Sequence, residues 1–370
     1  MTRILNVALA PYDLYGLAGL MYLLQREEPN TTAELLAPPS LINTLPKSIL
    51  NVFTRVYPMR MPTLSQNFLR DLYGAVRFHW EIRKYIAQPD IICFGAYRAT
   101  VTNYLARFFR NKARLIGFRQ GVIEDCKLFT SQNTALSAYY NFFNKLFGAS
   151  SLTYRWGTHS RHLCHQTYTQ DPMDALISWG EHALPHQFAH ETMLPWPAHA
   201  LMPLLQREHT DSPPGILVVG ERMPLFETHT STDQQRYQDM LTYLRQHAGD
   251  APLYFRPRRG LTDVTQLDLT GYTILCDHQP LELVLLEQPW KAVISVKSTA
   301  SKQAADLGIP AVAAYKAFNL LPDNLQVIED FFASTANLHR PENFADLLTA
   351  PSPEPAVISI SAYKKVIYEL

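Results

Sequence analysis

The stretch AVISVKSTASKQAADLGIPAVAAY, Ala292–Tyr315, reads as a complete strand–helix–strand unit. Ala292–Val296 is an apolar run without alternation, the pattern of a strand buried on both faces. Lys297, Ser298 and Thr299 interrupt it, and Ala300, Ala304 and Leu307 then share one helical face. Gly308 fits the position just past the helix end. Pro310–Tyr315 resumes as a strand. Strands joined through a helix run parallel, and a sheet covered by helices follows.

The same pattern extends outward. Ile216–Gly220 (ILVVG), Pro252–Phe255 (PLYF) and Tyr272–Cys276 (YTILC) read as further buried strands, and Leu281–Glu287 as a short helix. Ser231 to Gln234 fits a capping box, ahead of Tyr237, Met240, Leu241 and Leu244 on one face. In the first half, strands are expected at Ile4–Ala10, Ile91–Gly95 and Ala113–Phe118, with Ala175–Gly180 the last of that half. Helices are expected behind Asp13 (Leu14, Leu17, Met21, Leu24), over roughly 64–87, and at Thr100–Phe109. Between the halves Pro185, Pro195, Pro197, Pro203, Pro213 and Pro214 mark a join. The expectation is an α/β chain of two Rossmann-like domains facing a cleft: 1–182, a Pro-rich linker 183–214, a second domain 215–350, and a C-terminal segment 351–370.

Composition bounds the function. Of 370 residues, 47% are hydrophobic and 18% charged, which supplies large cores and excludes general disorder. Lys+Arg and Asp+Glu are 33 each, and this zero balance argues against nucleic acid as a partner. The four cysteines form no C-x-x-C pair, so no zinc ribbon or disulfide framework follows, and a reducing compartment is expected. Cys93 and Cys276 sit in apolar runs and read as core residues. No apolar run reaches the roughly 18 residues a membrane span needs. The opening MTRILNVALAP has a faint signal-peptide look, but Pro11 and Asp13 interrupt it, and it reads as a first strand.

Ligands of an open parallel sheet bind beyond the carboxyl ends of its strands. In the second half those ends lead into Gly220-Glu221-Arg222, Arg256-Pro257-Arg258-Arg259, Asp277-His278-Gln279-Pro280 with Glu282, and Lys297-Ser298-Thr299. A helix N-terminus with two hydroxyls suits a phosphate. The plainer reading is that Ser298 or Thr299 only caps the helix. Arg256, Arg258 and Arg259 suit the same phosphate by bidentate bonding, against a solvated basic turn as the alternative. Glu282 suits ribose hydroxyls, or is simply a first-turn acid.

In the first half, Glu124 and Asp125 follow the strand that ends near Phe118 and suit a general base; a surface acidic turn accounts for them equally well. Arg107, Arg110, Lys112, Arg114 and Arg119, with Phe108 and Phe109, would face anionic lipid or, more simply, complement a helix dipole. His159, His162 and His165 are loosely spaced for a metal and no carboxylate joins them, so no metal is assigned.

In this order of motifs the second half resembles bacterial sialyltransferases of the capsule polysialyltransferase and lipooligosaccharide type. GERMPLF, the helix behind Ser231, YFRPRR, Gln279-Pro280-Leu281-Glu282 and SVKSTASKQAADLGIPAVA carry the resemblance, over about 215–315. It implies the two-domain GT-B fold, an acceptor-side first domain and a nucleotide-sugar-binding second domain. It also implies inverting, metal-independent transfer of a nonulosonic acid from a CMP-sugar to an acceptor glycan in surface polysaccharide assembly, with no cofactor. Ser298 and Thr299 would hold the CMP phosphate beside Gly220, Arg258 and Glu282. Arg256 stands where the family has the histidine of a His-Pro motif, and it can balance charge but not donate a proton. The family's acid-acid-Gly base motif is replaced by Gln120-Gly121, with Glu124-Asp125 just after it. The implied location is the cytoplasm, with peripheral membrane or capsule-assembly association open. A transferase using a UDP-sugar or CDP-polyol, and a non-catalytic nucleotide- or glycan-binding homologue, are the alternatives.

Overall fold

The computed structural model of the chain describes residues 1–62, 64–95, 99–120, 134–148, 152–156, 164–168, 173–179, 191–205, 213–221, 230–258, 264–318, 320, 322–333, 335, 337–351, 353 and 357–369. The chain divides into two compact units. Unit 1 is Met1–Trp179, Pro185–Leu201 and Ile358–Leu370; unit 2 is Gly180–Leu184 and Met202–Val357. Part of the stretch expected to link the halves therefore belongs to unit 1, and so do the chain's last residues.

Unit 1 holds β1 (Arg3–Val7), β2 (Thr32–Ala37), β3 (Arg55–Pro58), β4 (Ile91–Phe94), β5 (Arg114–Gln120), β8 (Ala175–Trp179) and β9 (Glu191–Leu194) in one sheet. Its order is β3-β2-β1-β4-β5-β8-β9, and every pair is parallel. A separate antiparallel pair is formed by β6 (Leu152–Trp156) and β7 (Cys164–Tyr168). Two corrections concern the ends of elements. The first strand stops at Val7, because Pro11 opens a helix, Pro11–Glu27, at a position where its missing N–H costs nothing. Asp13 lies inside that helix and accepts the Ala10 N–H at 3.2 Å. Ala175–Trp179 is not the last strand of its sheet, since β9 pairs beyond it.

Gly19 of this helix lies against the Pro197–Leu201 turn. A Cβ there would stand 2.2 Å from the Pro197 carbonyl oxygen. On the face of the sheet carrying Leu5, Val7, Ile92 and Phe94, the Phe68–Tyr85 helix buries Phe78 and Ile82 and the Thr100–Phe109 helix buries Tyr104 and Leu105. The last residues return to this unit: Tyr363 is fully buried and its hydroxyl donates to the Pro195 carbonyl.

Unit 2 holds β10 (Gly215–Val219), β11 (Leu253–Arg256), β12 (Tyr272–Ile274), β13 (Trp290–Ser295), β14 (Ala311–Ala313) and β15 (Leu338–His339). The order β12-β11-β10-β13-β14-β15 is again parallel throughout. Gly308 follows the Thr299–Asp306 helix with φ +74°, the left-handed geometry glycine permits. The helix after β10 runs Thr230–His247, so Ser231 lies within its first turn rather than ahead of it. Tyr237, Met240, Leu241 and Leu244 are buried as expected from their spacing. Cys93 is buried, but Cys276 is exposed, because β12 is an edge strand that ends at Ile274. Among the described residues no helix is long and apolar enough to cross a membrane.

Candidate functional site

The winding of the unit 2 sheet reverses between β10 and β13, which opens a crevice at the carboxyl ends of those strands. Two segments leave the sheet there. Behind β10 comes Gly220, whose N–H donates to the Arg256 carbonyl at 2.8 Å, and then Glu221. Behind β13 come Val296, Lys297 and the helix that Ser298 caps.

Glu221 is fully buried, and its Oε1 accepts the backbone N–H groups of Val296 (3.0 Å), Lys297 (3.0 Å) and Ser298 (3.1 Å). Burial pushes its carboxyl above the usual range. The Lys297 amide and charge, Arg258 and the Val296 amide draw it back. The amides expected to greet a phosphate are thus already engaged by a carboxylate from the same unit. Sequence reading passed over Glu221, although an acid directly behind an apolar strand is a signal: a buried charge persists only with partners.

Ser298 has the extended backbone of an N-cap, and its Oγ accepts the Ala300 N–H at 3.3 Å, so the capping role is realised. Thr299 opens the helix, and both hydroxyl residues are half-buried. Ser301 ties the same helix to the sheet through the Ser295 hydroxyl (2.6 Å) and the Val312 carbonyl (2.7 Å).

Arg256 ends β11 and is only 9% exposed. Its Nη2 donates to the Gln279 carbonyl at 2.6 Å, while its Nε has no hydrogen-bond partner among the described residues. Burial lowers its pKa, and Glu282 and Asp277 oppose the fall. A guanidinium starting so high stays protonated. Glu282 is buried in the first turn of the Leu281–Glu287 helix, and its Oε1 accepts from Gln303 Nε2 at 3.2 Å. Burial raises the Glu282 carboxyl and Arg256 holds it down. Gln303 stands on the helix capped by Ser298, so Glu282 is tied to that helix, with the Arg256 charge acting on it from the end of β11. The rim therefore brings Gly220, Arg256, Glu282, Ser298 and Thr299 together, with Arg258 exposed beside it. Arg222 and Arg259 lie outside the described residues.

In unit 1 the winding reverses between β1 and β4. Asp13, fully buried, sits behind β1 at that point, and Gly95 follows β4. A Cβ on Gly95 would lie 2.4 Å from the Asp13 Cβ, so the approach requires glycine. The sequence marks Asp13 only as the residue ahead of the first helix, and folding places it in that helix's first turn. Glu124, Asp125, His159 and His162 lie outside the described residues. Two residues of the basic stretch are used internally: Arg107 donates to the carbonyls of Lys145, Leu146 and Gly148 at the end of the Thr134–Phe147 helix, and Arg114 to that of Val366.

No known protein-family profile and no curated relative matches the chain. Solved structures do. A Listeria monocytogenes protein assigned as a UDP-N-acetylglucosamine 2-epimerase aligns with TM-score 0.51 and 12% identity, over 100% of this chain and 97% of its own. The GT-B domain of a Photobacterium damselae sialyltransferase aligns with TM-score 0.50 and 9% identity, over 91% and 98%. At such identities the likeness concerns the fold, and with the two parallel, doubly wound sheets it establishes this chain as a GT-B fold.

Proposed function

We propose that the protein is an inverting, metal-independent glycosyltransferase that moves a nonulosonic acid from a CMP-sugar to an acceptor glycan, in the cytoplasm, during surface polysaccharide assembly. The observation that supports it is Arg256: a buried guanidinium at the carboxyl end of β11, with its Nε unpartnered among the described residues, beside the switch point of unit 2. A buried donor without a partner calls for an acceptor, and a single phosphate supplies one. With Glu221 on the amides of residues 296–298, the Ser298 turn offers hydroxyls and the Lys297 charge rather than a full amide nest, a small site that suits a monophosphate.

In this reading an acceptor hydroxyl attacks the anomeric carbon as the bond to CMP breaks. Glu124 or Asp125 takes the hydroxyl proton, and Asp13 is a third carboxylate to test for that role. Arg256, Ser298 and Thr299 stabilise the charge on the departing phosphate, the contribution that usually dominates. Arg256 cannot donate a proton to the leaving group.

Thermal unfolding with CMP, UDP and CDP tests the donor. CMP is expected to raise the unfolding temperature of the native chain, and Arg256→Gln to abolish the rise while Arg256→Lys keeps part of it. Stabilisation by UDP or CDP instead would point to a different activated donor, and no response to any nucleotide would remove the transferase reading. Transfer assays on Glu124→Ala/Asp125→Ala and on Asp13→Asn identify the base by which variant stops turnover.

A further inference from the structure

A second concave site lies in unit 1, at the edge of its sheet. A cavity of about 560 Å³ is lined by Pro39, by Arg55 and Tyr57 to Arg60 of β3 and its extension, and by Arg77, Glu81 and Tyr85. The last three are spaced by four on the Phe68–Tyr85 helix, so they form one wall. The size suits a mono- or disaccharide.

Its charges do not balance. Glu81 already accepts from Arg77 Nε at 2.7 Å. Arg55 donates to a phenol, the Tyr57 hydroxyl at 3.4 Å, and that hydroxyl in turn donates to Glu34 at 3.2 Å. Glu34 is itself held by Arg3 at 2.7 Å. Arg55 and Arg60 therefore bring positive charge to the cavity with no carboxylate of their own among the described residues. Edge protection of β3 would account for Arg55 and Pro58. It does not account for Arg60 beyond the strand, nor for a helix wall that brings an aromatic ring to the same hollow. The remaining lining, Pro39, Pro58, Met59 and Tyr85, is apolar body with one ring.

We propose that this cavity binds a sugar bearing a carboxylate or phosphate, with the anion between Arg55 and Arg60 and the sugar body against Met59 and Tyr85. Two guanidiniums of fixed planar geometry suit an oxyanion, and the apolar wall suits the C–H face of a ring. That such a sugar belongs to the glycan acceptor rests on the transferase reading above; the binding itself does not.

Calorimetric titration of the full chain with glucuronate, glucose 6-phosphate, glucose and inorganic phosphate tests it. Both acidic sugars are expected to bind about tenfold or more tighter than glucose and than inorganic phosphate. Arg55→Gln/Arg60→Gln is expected to lose that advantage, while its unfolding temperature and its response to CMP stay unchanged, since both arginines are exposed. Tyr85→Ala is expected to weaken the acidic sugars and leave inorganic phosphate as it was. Equal binding of glucose and glucuronate, equal binding of phosphate and glucose 6-phosphate, or undiminished binding by the double variant would each overturn the proposal. Loss of the CMP response with acid-sugar binding intact would count against the donor reading alone.

Discussion

At the end of β10 one carboxylate holds three consecutive amides of a segment 75 to 77 residues further along. Bonds to a charged acceptor are worth about 1.5–3 kcal/mol each, set against several for burying the charge. Glu221→Ala leaves three amides without their acceptor and is expected to lower the unfolding free energy by about 3 kcal/mol or more; Glu221→Gln, which keeps an acceptor oxygen, should cost distinctly less. Urea unfolding reads both. Glu282 gives a pH dependence. Its folded pKa is raised above the ordinary 4.5, chiefly by burial. The stability linked to its protonated form is therefore complete below that value and is lost as pH rises through the higher folded one. Compared with Glu282→Gln, the native chain should become progressively less stable from pH 4.5 toward neutrality, and a constant difference would refute the assignment. Arg256 and Ser298 were legible in the sequence because each lies at the carboxyl end of an apolar strand. Glu221 stands in the same kind of place, but its three amide partners were not legible, because they lie 75 to 77 residues further along. Cys276 misled because an edge strand can carry an apolar run without burying its end.

Elements were legible in proportion to their length and apolar regularity. The expected Thr100–Phe109 and Leu281–Glu287 helices match the observed bounds. β3 and β15 were missed. The first has Pro58 at its end on the sheet edge, and the second has two residues, too few for any period. β2 escaped because Glu34 breaks its apolar run, a charge that folding pairs with Arg3. Gly19 sets the approach of the first helix to the Pro197–Leu201 turn. Gly19→Ala must move that backbone, and a loss of about 1–3 kcal/mol in thermal or urea unfolding is expected. Arg107 closes the carbonyl end of the Thr134–Phe147 helix. Arg107→Ala should speed amide exchange in that helix's last turn and leave the Pro11–Glu27 helix unaffected.

For the whole molecule, two Rossmann-like halves could be inferred because each repeats unalternating strands behind helical spacing. The path of the chain between them could not, because a proline-rich stretch looks like a linker whether or not a strand such as β9 lies within it. Nor did the spacing of Tyr363, Val366 and Ile367 announce that they complete unit 1 rather than unit 2. Removing residues 358–370 uncovers the first helix, where Lys364 meets Glu28 at 2.6 Å, and takes away the acceptor of Arg114. Limited proteolysis of that truncation should cut first within unit 1, with unit 2 protected as in the native chain. This return path also orders biosynthesis. Unit 2 is fully made before the ribosome releases the segment that finishes unit 1, so the domain begun first is closed last.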